Sequence, residues 1–140
     1  MKIHVVRPDQ QAIENFTRVN ISNNLVDLSQ LSDNECELIL ANDAMDSYSI
    51  DRAGELVQSL ISKLRLGGEL VVGGTSIRMF CKQVINSQLD EKQASQIIGS
   101  VSSMTSPEPL VEALSVMGQL EIVDVSLSGI HYEVKAKRVK

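Results

Sequence analysis

The residues with the types and spacing to do chemistry fall in a few short stretches. Asn42, Asp43 and Asp46 form a polar cluster directly after the apolar run Leu38-Ile39-Leu40-Ala41. At the end of a central strand such a cluster would make a polar pocket for a ligand or a weakly held metal; equally, it would cap a loop and a helix N-terminus. Short acids without His or Cys are a poor metal set, so no metal is expected. Arg7 follows the first strand-like segment, where it would either contact an anionic ligand or fill space. His4 and His131 lie inside strand-like segments and read as structural histidines. Gly67-Gly68 and Gly73-Gly74 match neither GxGxxG nor a P-loop, so turn and strand-end duties explain them. Lys135, Lys137, Arg138 and Lys140 read as a solvated strand face and tail. No spacing suggests a Ser-His-Asp or Cys-His arrangement.

These side chains need elements to hold them. The short β-branched segment Ile3-Val6 stops at Pro8, and residues 10–15 are expected to form one or two helical turns with Asp9 as N-cap. Phe16 to Ile21 alternates as a second strand, Asn23-Asn24 signals a turn, and Leu25 to Leu28 is a short strand candidate. Leu38 to Ala41 reads as a buried parallel strand. From Ala53, the apolar residues Leu56, Val57, Leu60, Ile61 and Leu64 keep helical spacing, with Asp51 at the start and Gly67-Gly68 as the stop. Leu70-Val71-Val72 is the next strand, which completes a right-handed βαβ unit.

Ser76 then caps a helix whose stripe Ile77, Phe80, Cys81, Val84 and Ile85 should be core. A weak helix is expected over Glu91 to Ile98, and Ser106-Pro107 starts another that ends at Gly118. Leu120 to Leu127 and Ile130 to Val139 alternate about a Ser128-Gly129 turn, the pattern of an antiparallel hairpin. Strands alternating with helices, then a hairpin, make a three-layer α/β sheet with a mixed edge over residues 1–140 as one domain.

Composition narrows the function classes. A formal charge of −5 gives no electrostatic reason to expect nucleic acid. No apolar run reaches the ~18 residues that would span a bilayer, and the first ten residues lack a signal-peptide h-region. Cys36 and Cys81 sit apart in mainly apolar contexts and read as a pair of core thiols in a reducing compartment. Cytoplasm is the expected location.

The order of elements and several strings resemble class I S-adenosylmethionine-dependent methyltransferases, and within them the small type 11-like subgroup. The strings are Phe16-Thr17-Arg18-Val19-Asn20-Ile21, then Val26-Asp27-Leu28, Ser32 to Glu37, and Leu38 to Ser47. Leu64-Arg65-Leu66-Gly67-Gly68-Glu69-Leu70 is similar to the family's LKPGGxL; Ser106 to Leu110 and Gly129 to Arg138 are similar to its late patterns. The resemblance implies a Rossmann-like fold with a mixed sheet of order 3-2-1-4-5-7-6 ending in the antiparallel hairpin. It also implies that Arg7, Asn20, Asp27, Asn42, Asp43 and Asp46 would line the cofactor site if that site is retained.

The departures concentrate on that site. The family's Gly-rich turn is Val6-Arg7-Pro8-Asp9-Gln10 here, and the first glycine of the chain is Gly54. The acid expected at the ribose is Asn20, and the family histidine is replaced by Ser47. Only Asp27, on the adenine side, keeps its charge. The resemblance therefore implies one of two functions. One is a methyltransferase-like pseudoenzyme that has lost S-adenosylmethionine binding and serves as a binding or assembly module. The other is an active methyltransferase of a small molecule or glycan, with an atypical cofactor site and S-adenosylmethionine as cofactor. The chain is short, so one sheet face should be thinly covered, and a homo-oligomer is expected to cover it. Compact methyltransferase-like proteins of this kind occur in phages, which makes a phage source one expectation of the resemblance.

Overall fold

Seven strands join in one sheet in the computed structural model, which describes residues 1–22 and 24–140. They are β1 (Lys2–Val6), β2 (Thr17–Ser22), β3 (Leu25–Val26), β4 (Cys36–Ala41), β5 (Leu64–Thr75), β6 (Leu120–Ser128) and β7 (His131–Arg138). Their order is β3-β2-β1-β4-β5-β7-β6. β2, β1, β4 and β5 run parallel, whereas β3, β7 and β6 each pair antiparallel with a neighbour. Among the described residues the α-helices are α1 (Ala53–Lys63), α2 (Ile77–Ile85), α3 (Glu91–Ser100) and α4 (Pro107–Val116), with two short 3-10 turns before α1.

Register explains where the core sits. Ile3 pairs with Ile39, Ile39 with Leu70, Leu70 with Ala136, and Ala136 with Ile122. Paired residues point to the same face, so this is one apolar row running across five strands. Ile3, Ile39, Leu70 and Ala136 are fully buried. The α1 stripe Leu56, Val57, Leu60 and Ile61 and the α4 residues Leu110 and Leu114 belong to the same core. Each fully buried Leu or Ile contributes about 1.5–3 kcal/mol relative to exposure. The alternate row, His4-Leu40-Val71-Lys135-Asp124, forms the other face. There Leu38, Leu40 and Val71 stay only half-buried, in keeping with a thinly covered side.

Several local expectations need correction. Residues 10–15 form no helix; the chain from Arg7 to Phe16 crosses in irregular turns. Side chains take the backbone groups that a helix would have paired: Ile13 N–H donates to His4 Nδ1, and the Arg18 guanidinium donates to the carbonyls of Arg7, Pro8 and Gln10. Gly67-Gly68 do not stop α1, because the chain is already extended at Leu64. Gly68 serves close strand approach instead, since a Cβ there would lie 2.9 Å from both Arg65 O and Cys36 O. Asp51 sits in a 3-10 turn, and α1 has no side-chain cap.

The hairpin turn is Gly129-Ile130, one residue later than expected, closing on the pair Ser128 and His131. Gly129 has φ +60°, which places glycine at the first central position. The α2 stripe is mostly exposed: Phe80 is its one buried residue, while Ile85 is 80% exposed. Cys81 is exposed too, so the two free cysteines are not a pair of core thiols. Arg138 is no solvated tail residue: it donates to Asn34 Oδ1 and to the Ile61 and Leu64 carbonyls, and so holds the C-terminal end of α1. Of the expected turn at Asn23-Asn24, Asn23 lies outside the described residues; Asn24 has φ +64°.

Other readings agree with the structure. Ser76 Oγ accepts from Met79 N at 3.3 Å. Asp90 and Gln93 form a reciprocal capping box at the start of α3, with bonds of 2.7 and 3.0 Å. Pro107 opens α4, and Gly118 ends it with φ +71°.

Candidate functional site

Strand order reverses between β1 and β4, the place where open α/β sheets hold ligands beyond their C-terminal strand ends. Three chain segments meet there: the turn after β1, the end of β2, and the 3-10 turn Ala44–Ser47 after β4. The turn after β1 is closed on itself. Arg7 N–H donates to Gln10 Oε1 at 3.0 Å, and Gln10 N–H donates to Arg7 O at 3.0 Å. Arg18, on β2, locks this turn from outside. Its Nε donates to Asn20 Oδ1 at 2.8 Å, Nη1 to Gln10 O at 2.5 Å, and Nη2 to Arg7 O at 2.9 Å and Pro8 O at 3.1 Å. Four of the five guanidinium N–H groups are therefore directed at the turn and its neighbour. Strand alternation puts Arg18 and Asn20 on one face, and that geometry aims the guanidinium.

The six residues expected around a cofactor are spread over three openings, two of which adjoin at Asp43. Arg7, Asp43 and Asp46 line one of about 230 Å³ together with Thr75 and His131. Asn42 and Asp43 border a second of about 240 Å³, with His4, Gln10 and Ile13. Asn20 and Asp27 border a third of about 180 Å³, with Arg18 and Leu31.

Within these cavities most polar groups already have partners. Asp46 is buried, at 6% exposure. Its Oδ1 accepts from Thr75 N at 2.7 Å and its Oδ2 from Thr75 Oγ1 at 3.0 Å. Burial pushes its carboxyl pKa up, against the lowering effect of those two bonds, with Asp43 adding to the rise. Asp46 thus ties the 3-10 turn to the end of β5. Asp27 is exposed, and the Ser29 hydroxyl (2.6 Å) and amide (3.2 Å) hold its pKa below the usual carboxylate value. Asn42 Nδ2 donates to Glu133 Oε1 at 2.9 Å across to β7. His4 accepts from Ile13, stacks edge-on to Phe16 with centroids 6.4 Å apart, and is held below the usual histidine pKa mainly by burial. Arg7 is partly buried and borders the cavity with Asp43 and Asp46, its Nε 3.6 Å from Asp9 Oδ1.

Reading the sequence missed Arg18, the residue that organises the site. Its signal was present, two positions before Asn20 on the same strand face. Thr75, as the partner of Asp46, left no sequence signal. Among the described residues, no group of three or more His, Cys, Asp or Glu is arranged to hold a metal ion. No helix among them is long and apolar enough to cross a membrane.

No protein-family model and no curated protein matches the chain. Solved structures do match. An S-adenosylmethionine-dependent methyltransferase from Archaeoglobus fulgidus superposes with TM-score 0.57 at 16% identity, over 89% of this chain and 68% of the other. This is the methyltransferase fold. A second structure with it is the 1,6-didemethyltoxoflavin-N1-methyltransferase of Burkholderia thailandensis, with 1,6-didemethyltoxoflavin and S-adenosylhomocysteine bound. It matches with TM-score 0.55 at 15% identity, over 91% of this chain and 52% of that one. The present chain thus spans about two-thirds and about half of the lengths of these two methyltransferases. The sheet order and terminal hairpin of the methyltransferase fold are as the resemblance implied.

Proposed function

We propose that this methyltransferase-fold domain does not bind S-adenosylmethionine and acts as a binding or assembly module. The observation that carries the reading is the Arg18 clamp on the turn after β1. A cofactor turn in this fold must admit a ligand close to its backbone, which glycine allows. Here the turn carries Arg7, Pro8, Asp9 and Gln10, and three of its carbonyls already accept from Arg18. Asn20 offers the ribose no charge, and its Oδ1 is taken by the same guanidinium. A sulfonium ligand would also approach a fixed cation, which like-charge repulsion disfavours.

The competing reading is an active methyltransferase with an altered site. Asp27 and the cavity bordered by Arg7, Asp43 and His131 favour it. Thermal denaturation separates the two. A ligand at 100 times its Kd stabilises a fold by about 2.7 kcal/mol, which is several degrees for a domain of this size. No rise in Tm in millimolar S-adenosylmethionine is expected. A rise of several degrees would favour the enzyme.

A further inference from the structure

α1 and α4 contribute to one core, with little direct contact between them. A cavity of about 210 Å³ opens in the gap. Ala53, Gly54 and Val57 face it from α1, and Leu110, Ala113 and Met117 from α4, at spacings that keep residues on one side of a helix. The short side chains leave the room: a Cβ built at Gly54 meets nothing within 4 Å. Met45, Val57 and Leu110 are buried at the base, and Ile50, 63% exposed, stands at the mouth. The cavity shares no lining residue with the three openings at the strand ends. Among the described residues, no ionisable side chain lines it, and its one polar side chain is that of Thr105. The Thr105 hydroxyl is paired with Tyr132 OH at 2.6 Å, its N–H donates to Thr75 O, and its carbonyl accepts from Ile77 N–H. Little is left to offset the desolvation of a charge, or to hold an ordered water, which needs about two to four polar partners.

We propose that this cavity binds an uncharged aromatic molecule of one or two rings. The inference goes beyond the proposed function and does not depend on whether S-adenosylmethionine binds. Volume sets the size of the occupant: a dry apolar cavity of about 150 Å³ holds benzene, so this one takes a substituted ring or a fused pair. Met45 and Met117 select the aromatic class. Thioether sulfur makes favourable contacts with ring edges, and the unbranched side chain adapts to a flat shape. The lining has no aromatic ring of its own, so the ligand supplies it. Exposed polar residues flank the lining positions along both helices, among them Arg52, Glu55 and Gln58 on α1 and Glu112 on α4. That suits a small molecule held inside the gap better than a protein partner, whose contact would cover about 800 Å².

Titration with indole tests the site, read from the methionine methyl resonances of the isotope-labelled chain. Met45 and Met117 line the cavity, whereas Met1 and Met79 do not and serve as controls. Indole should shift Met45 and Met117, saturate with a Kd of ~0.1–1 mM, and leave Met1 and Met79 in place. Cyclohexanol, uncharged but aliphatic, should bind about fivefold more weakly. Ala113→Leu fills the cavity from α4, and Ala53→Leu fills it from α1. Each should keep the circular dichroism of the fold and weaken indole by about tenfold or more. No shift of Met45 and Met117 at millimolar indole overturns the proposal, and equal affinity for cyclohexanol overturns the aromatic class. Indole shifts that persist at full strength in both filled variants overturn it too. So do shifts of the same two methyls that grow with chain concentration in the absence of indole, since a second copy would then occupy the gap.

Discussion

Arg18 Nε donates to Asn20 Oδ1 at 2.8 Å, so that one side chain on β2 both engages Asn20 and locks the turn after β1. The same guanidinium donates to three carbonyls of residues 7–10, so a single side chain holds the turn at the strand ends where open α/β sheets place ligands.

Replacing Arg18 should therefore loosen the turn more than the exposure of this side chain would suggest. Arg18→Met is expected to lower stability by about 1–2 kcal/mol, since several charge-assisted bonds are lost at a solvated site. The readout is the midpoint of urea unfolding with an unchanged slope, together with faster amide exchange over residues 7–16. Arg18→Lys should restore little, because an ammonium lacks the planar fork that reaches four acceptors. Full rescue by lysine would mean that charge alone matters.

Asp46 should leave a signature in the pH dependence of stability. Its folded pKa is raised above the usual carboxylate value, mainly by burial. The folded state therefore holds the proton more tightly than the unfolded one. The resulting stabilisation is complete below the unfolded value near 3.8 and is lost as pH rises through the folded pKa. Asp46→Asn keeps an acceptor for Thr75 N–H and has no titration. The difference in unfolding free energy between wild type and Asp46→Asn should move in favour of the variant as pH rises from about 3.5. A difference that stays flat from there to neutral pH would contradict the assigned shift.

Glycine positions should separate sharply. A Cβ at Gly73 would lie 2.1 Å from Tyr132 O on β7 and 2.6 Å from Asn42 O just after β4, both backbone atoms. Gly73→Ala is expected to cost more than about 3 kcal/mol or to prevent folding. A Cβ at Gly54 meets nothing within 4 Å, and the residue lies in the first turn of α1. Gly54→Ala should raise stability by about 0.5–1 kcal/mol, read from the same urea midpoints.

Thiol labelling should distinguish the cysteines. Cys81 is exposed, whereas Cys36 is buried in the core with its thiol pKa pushed up, chiefly by burial. One thiol per folded chain should react quickly with a maleimide, and the second only in denaturant. Two fast thiols would contradict the burial of Cys36.

The sheet was legible because its signals are repeated. The apolar runs at Ile39 and Leu70, the 3.6-residue stripe at Leu56 to Ile61, and the alternation around Val134 each report burial on a known face. The turn after β1 was not, because its conformation depends on a residue from another strand. Nothing local to Arg7 through Gln10 announces that Arg18 will take their carbonyls. The α2 stripe misled for a related reason: Ile77, Val84 and Ile85 have the spacing of a core face, but no other element covers them and they stay exposed. The absence of glycine from residues 7–10 and the Asn at position 20, in contrast, were plain in the sequence, and both lie at the strand ends that Arg18 clamps.

The most direct measurement of the central claim is calorimetric titration of the wild-type chain with S-adenosylmethionine and S-adenosylhomocysteine. With the turn after β1 held by Arg18, neither ligand is expected to give a binding heat up to millimolar concentration. A one-to-one isotherm with micromolar Kd for either would contradict the closed site.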